Sequence, residues 1–104
     1  MNKISECEEQ VMIVVWNSEK TPDLSATMRA VNKRFGHEWK PQTVSTFLHR
    51  LVEKGYLSME RKGRYCYYTP TVPLEEYRAE KMKSVVDTLF DGNKTSAAEC
   101  LNKI

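Results

Sequence analysis

Between Lys40 and Leu57 the chain reads KPQTVSTFLHRLVEKGYL, and its apolar positions fall at Val44, Phe47, Leu48, Leu51 and Val52. That spacing (i, i+3, i+4, i+7, i+8) is one stripe of an amphipathic helix. The same period upstream predicts a helix over residues 6–17, with Val11, Met12, Val15 and Trp16 on one face. Ser5-x-x-Glu8 is its capping box, a hydroxyl and a carboxylate placed to satisfy two orphan N–H groups. "NSEKTP" interrupts, and a second helix is expected from about Ser25 to Phe35, with Met28, Val31 and Phe35 inward and Gly36 as an αL C-cap. Pro41 suits the first turn of the third helix, where its missing N–H costs nothing. Gly55 ends that helix by taking positive φ.

Beyond Gly55 the period changes from helix to strand. "YLSMERKGRYCYYTP" is rich in aromatic residues on both sides of Lys62-Gly63. It predicts a hairpin of about Leu57–Arg61, a tight turn, then Arg64–Thr69, stopped by Pro70. A fourth helix is expected from Pro73 to Asp91-Gly92, carrying Tyr77, Met82, Val85, Val86, Leu89 and Phe90. A last short segment opens on Ser96-x-x-Glu99, a second capping box, and spaces Ala97, Cys100, Leu101 and Ile104 helically. Helix, helix, helix, hairpin is the order of a winged helix-turn-helix. The expected fold class is mainly α (α+β), with residues 1–72 as the winged domain and 73–104 as a C-terminal helical region.

The far side of the third helix sharpens the functional reading. Gln42, Thr43, Ser45, Thr46, His49 and Arg50 lie around it, where an ordinary solvated face would alternate Glu and Lys. Short hydrogen-bonding side chains suit the donor and acceptor pattern of base edges in a major groove. Arg61, Lys62 and Arg64 cluster at the hairpin turn, within reach of phosphate or a minor groove. The bland alternatives are a helix face that is merely uncharged and a charged tip that protects a sheet edge.

Composition modifies this little. With 104 residues and 40% apolar composition, one small domain with a modest core is expected. The net charge of +2 is uninformative, but residues 1–73 hold 11 basic and 8 acidic side chains against 5 and 6 in the remainder. The winged part is therefore the better candidate for an anionic partner. No signal-like or membrane-spanning run occurs, so a cytoplasmic protein without membrane insertion is expected. Cys7, Cys66 and Cys100 form no CxC or CxxC and read as three small reduced hydrophobes, with no metal site and no cofactor. His37 in "FGHEW" reads as an exposed loop histidine. No nucleophile–base pattern or phosphate loop points to an enzyme.

The motifs "WKPQTVSTFLHRLVEKGYL" and "KGRYCYYTP" resemble the penicillinase-repressor family (BlaI/MecI/CopY). The resemblance rests on Trp39, Pro41, Thr43, Val44, Thr46, Arg50, Leu51, Lys54, Gly55 and Leu57, then Gly63, Arg64, Tyr68 and Pro70. Ile4, Ser5, Glu8, Val11, Met12 and Trp16 match the family's opening pattern. Departures are Gln42 and His49 where lysines are common, Glu9 for a Trp, and Met28 for a Glu. The first two bear on operator sequence.

The resemblance implies a homodimeric transcriptional repressor on a palindromic double-stranded DNA operator, controlling a β-lactam-resistance or related stress-response operon. Gln42, Thr43, Ser45, Thr46, His49, Arg50 and Arg64 would contact DNA. Tyr77, Met82, Val85, Val86, Leu89, Phe90 and Leu101 would hold the dimer, an apolar stripe that could instead pack on its own domain. A membrane sensor-protease that cuts an Asn-Phe bond releases the family's β-lactam branch. Here Asn93 and Asn102 each precede Lys, and no Asn-Phe occurs in the chain. Two further readings stay open: a copper-responsive repressor of the same family, although Cys100 stands alone, and a winged-helix protein-interaction module that never touches DNA.

Overall fold

The computed structural model describes all of residues 1–104. Its elements run α1 (Glu6–Trp16), α2 (Leu24–Phe35), α3 (Pro41–Glu53), β1 (Leu57–Lys62), β2 (Tyr65–Pro70), α4 (Leu74–Leu89) and α5 (Lys94–Asn102). The chain divides into two compact units, Met1–Val72 and Pro73–Ile104.

In the first unit the caps act as short-range signals. Glu8 N donates to Ser5 Oγ at 3.1 Å, and Ser5 N donates to Glu8 Oε1 at 2.7 Å, so both halves of the capping box form. Helix α2 starts one residue before the expected Ser25, with Asp23 as its N-cap. Its carboxylate takes Ala26 N–H at 2.8 Å, and its carbonyl takes the hydroxyl of buried Thr27 at 2.8 Å. Gly36 (φ 71°) ends α2 in the left-handed region, and Gly55 (φ 83°) turns the chain after α3.

The core is filled by Val11, Met12, Val14 and Val15 of α1, Val31 of α2, and Val44, Leu48 and Leu51 of α3. Tyr56, Leu57 and Tyr68 complete it from the hairpin side. Fully burying side chains of this size contributes about 1.5–3 kcal/mol each.

The hairpin pairs antiparallel from Leu57↔Pro70 to Lys62↔Tyr65, leaving Gly63-Arg64 as its turn. The expected turn at Lys62-Gly63 is therefore one residue early. Gly63 (φ 64°) occupies the first turn position, where a two-residue hairpin demands positive φ. A third element meets this ribbon through a single bridge, Asp23↔Tyr67, with Tyr68 N donating to Pro22 O at 3.0 Å. Trp16 Nε1 donates to Val72 O at 2.9 Å and ties the exit of the wing to α1.

In the second unit, α4 buries no residue and Ala97 of α5 is the buried one. The link between the two helices passes through Asp91 (φ 49°) and Gly92 (φ 80°). The Ser96 capping box is corrected: Asn93 is the N-cap, its Oδ1 accepting from Ser96 N at 3.0 Å. The Gly92 turn delivers the chain to helix at Lys94, so Ser96 already lies inside the first turn and supplies a donor.

Candidate nucleic-acid interface

Helix α3 presents two opposed faces. Val44, Leu48 and Leu51 are completely buried, while Gln42, Thr43, Ser45, Thr46, His49 and Arg50 are all exposed. The 3.6-residue period thus places all six candidate polar side chains on the outward side. Their hydrogen-bonding capacity differs. Thr46 Oγ1 donates to Gln42 O at 3.0 Å, so its proton is engaged and its lone pairs and methyl group remain free. That hydroxyl can accept from an exocyclic amine and the Thr46 methyl can touch a thymine methyl, while Gln42 keeps its amide for bidentate use. His49 Nε2 lies 3.3 Å from Glu53 Oε1, an exposed pair one turn apart. Arg50 is exposed at the same end of the helix.

The wing supplies the second group of candidate residues. Arg64 is exposed in the turn itself. Arg61, which the sequence groups with it, is engaged locally: its Nε donates to Gly63 O at 3.1 Å and braces the turn. Lys62 Nζ stands 5.9 Å from the centre of the Tyr67 ring. Three basic residues in the sequence therefore resolve into one free guanidinium and two side chains with local work.

How α3 enters this face depends on a clamp that periodicity does not show. Asn32 Nδ2 donates to Trp39 O and Trp39 N donates to Asn32 Oδ1, both at 3.1 Å. The Trp39 ring stacks on His37 at 4.0 Å and meets Phe47 of α3 at 5.1 Å. The reading of His37 as an exposed loop histidine is corrected. It is half-buried, with Nε2 2.6 Å from Gln10 Oε1. Asn32 and His37 carry this role through geometry, and only the aromatic character of Trp39 and Phe47 hints at it in the sequence.

Among the candidate dimer residues, Tyr77, Val85, Val86 and Phe90 are half-buried, and Met82 (44%), Leu89 (73%) and Leu101 (54%) are exposed. All three cysteines are free. Cys7 and Cys66 are half-buried and Cys100 is exposed. No group of three or more His, Cys, Asp or Glu comes together to hold a metal ion. No helix is long and apolar enough to cross a membrane.

Known proteins agree with this geometry. The family model for Penicillinase repressor matches residues 4–102. The penicillinase repressor of Bacillus licheniformis is 30% identical over 94 residues, covering 90% of this chain and 71% of that protein. A solution structure of the monomeric form of Bacillus licheniformis BlaI with the blaP half-operator superposes with a TM-score of 0.59. It is 32% identical and covers 73% of this chain and 89% of the other. The isolated DNA-binding domain of the repressor BlaI gives a TM-score of 0.61 at 32% identity, covering 74% and 94%. A winged-helix fold, the outward polar face of α3 and a match along nearly the whole length lead to one assignment: the chain belongs to the penicillinase-repressor family, whose members are DNA-binding transcriptional repressors and not enzymes.

Proposed function

We propose that this protein is a sequence-specific repressor that binds a palindromic promoter operator as a homodimer. On this reading α3 lies in the major groove and the wing follows the adjacent backbone. Gln42, Thr43, Ser45 and Thr46 read base edges, His49 contributes at the edge of that face, and Arg50 and Arg64 hold phosphates. The observation that carries it is the exposure of all six candidate polar side chains of α3 opposite the completely buried Val44, Leu48 and Leu51. The half-operator bound by the similar BlaI supports it. The exposed apolar side chains of Met82, Leu89 and Leu101 support pairing of two copies through residues 74–104. The regulated genes would be a β-lactam-resistance or related stress-response operon, in keeping with the relatives' names.

The test starts with selection of an operator from a random duplex library. Thr46→Ala should then weaken operator binding by ~1–3 kcal/mol and leave random-duplex binding nearly unchanged. Arg64→Ala should weaken both and reduce the salt slope by about one unit. Equal loss on both duplexes for Thr46→Ala would contradict the division between base and backbone contacts.

A further inference from the structure

Chain ends ordinarily fray, but the N-terminus here is tied to the end of α3. Asn2 Nδ2 donates to Lys54 O at 3.0 Å, and the hydroxyl of buried Tyr56 donates to Asn2 O. Ser5 is fixed a few residues later as the N-cap of α1. Lys3 is therefore held between two anchored neighbours. Asn2, Lys3, Arg50, Glu53 and Lys54 together line an open cleft of about 380 Å³.

The charges in that cleft are unequally engaged. Lys54 Nζ is committed to Glu8 at 2.8 Å, and the Glu53 carboxylate leans toward His49 at 3.3 Å. Lys3 and Arg50 have neither an ion-pair nor a side-chain hydrogen-bond partner. The carbonyl end of a helix is itself slightly negative. An anion at this end of α3 therefore needs side-chain cations, and two uncommitted ones line the cleft.

The position of the cleft identifies the anion. Thr43, Thr46, Arg50 and Glu53 follow at i, i+3, i+7 and i+10, one continuous stripe of α3. At 1.5 Å per residue, Arg50 lies ~10 Å along the axis from Thr43. The major groove is about 12 Å wide. A helix with its first turns among base edges thus brings its last turn to a phosphate rail.

We infer that Lys3, positioned by Asn2 and Tyr56, joins Arg50 to form a binding site for a backbone phosphate of duplex DNA at the C-terminal end of α3. The site rests on the DNA-binding reading above and adds a contact from the N-terminal arm. Its test uses the full chain and a duplex of about 20 base pairs of arbitrary sequence, titrated from roughly 50 to 200 mM salt. Lys3→Ala should flatten the plot of log K against log salt by about 0.9, so that wild type loses ~3-fold more affinity than the variant over this range. Lys3→Arg should keep the wild-type slope. Asn2→Ala, which frees the arm without removing charge, should weaken binding less than Lys3→Ala does. Lys3 is exposed, so its replacement leaves the core untouched. An unchanged slope in Lys3→Ala, with wild type still salt-dependent, overturns the site and leaves the DNA-binding reading standing. Absence of any salt-dependent duplex binding by wild type overturns both.

Discussion

Glu8 and Lys54, 46 residues apart, meet at 2.8 Å and join the first turn of α1 to the last turn of α3. One carboxylate oxygen, Oε1, accepts from both Ser5 N and Lys54 Nζ, while buried Oε2 has no protein partner. Burial pushes the Glu8 carboxyl up, but the hydrogen bonds from Lys54 and Ser5 and the Lys54 charge outweigh it and hold the group below its ordinary value. Helix α3 is thereby locked at its C-terminal end by an ion pair.

Lys54→Ala should destabilise the fold by about 2–3 kcal/mol. Loss of a buried partner costs about 3–5 kcal/mol, and the partial exposure of Lys54 reduces that through solvent screening. Because the folded Glu8 binds its proton less readily than the unfolded chain, its stabilisation is complete above pH ~4.5 and is lost as pH falls through the lower folded value. The stability gap between wild type and Glu8→Gln should therefore shrink from pH 7 to pH 3 in urea unfolding. A gap that widened at low pH would reverse the sign of this coupling.

Pairing through the second unit predicts a change in mass. Val86 is half-buried and Leu89 is 73% exposed on α4. Replacing both with Asp would place charge in an apolar contact, at a cost on the order of several kcal/mol. Sedimentation should show dimer for wild type and monomer for the double variant. A dimer that survives both substitutions places the interface elsewhere.

The two candidate caps of α5 are separable by hydrogen exchange. Asn93→Ala removes the acceptor of Ser96 N–H and should cost about 1 kcal/mol, fraying the first turn. Ser96→Ala should be nearly neutral, since its hydroxyl caps nothing there. Faster amide exchange at residues 95–97 in the first variant alone is the expected result.

The Asn32–Trp39 clamp joins two backbone groups of the α2–α3 loop to one amide side chain. Removing it in Asn32→Ala should lower stability by about 2 kcal/mol, near 1 for each hydrogen bond. Operator affinity should fall more than random-duplex affinity, because base readout depends on the angle of α3 and phosphate contact tolerates small rotations. Equal losses on both duplexes would show that the loop supports folding alone.

Under an inducing signal the chain should resist the family's cleavage or be cut at a different bond. The family's Asn-Phe cleavage has no site here, and a cleft built for Phe would have to desolvate an ammonium to accept Asn93-Lys94 or Asn102-Lys103. Intact mass of the repressor after β-lactam exposure of host cells measures this directly. A fragment ending at Asn93 or Asn102 would sink the expectation.

What the sequence determined by itself was everything set within about one turn. The stripe of Val44, Leu48 and Leu51, the Ser5–Glu8 box, and the positive φ of Gly36 and Gly55 follow from helical period, capping and backbone sterics. Those local rules sufficed to expose Gln42, Thr43, Ser45, Thr46, His49 and Arg50 on one side of α3, whereas Arg64, expected at the start of the second strand, lies in the turn because of the hairpin register. The helix starts were set by caps that the sequence pattern did not single out, Asp23 for α2 and Asn93 for α5. The tertiary structure alone decided the partnerships across the fold: Glu8 with Lys54, Asn2 with Lys54 and Tyr56, Asp23 with Tyr67, and Gln10 with His37. These residues lie 27 to 54 positions apart. No periodicity connects such pairs, because their meeting depends on how three helices and a ribbon close around one core.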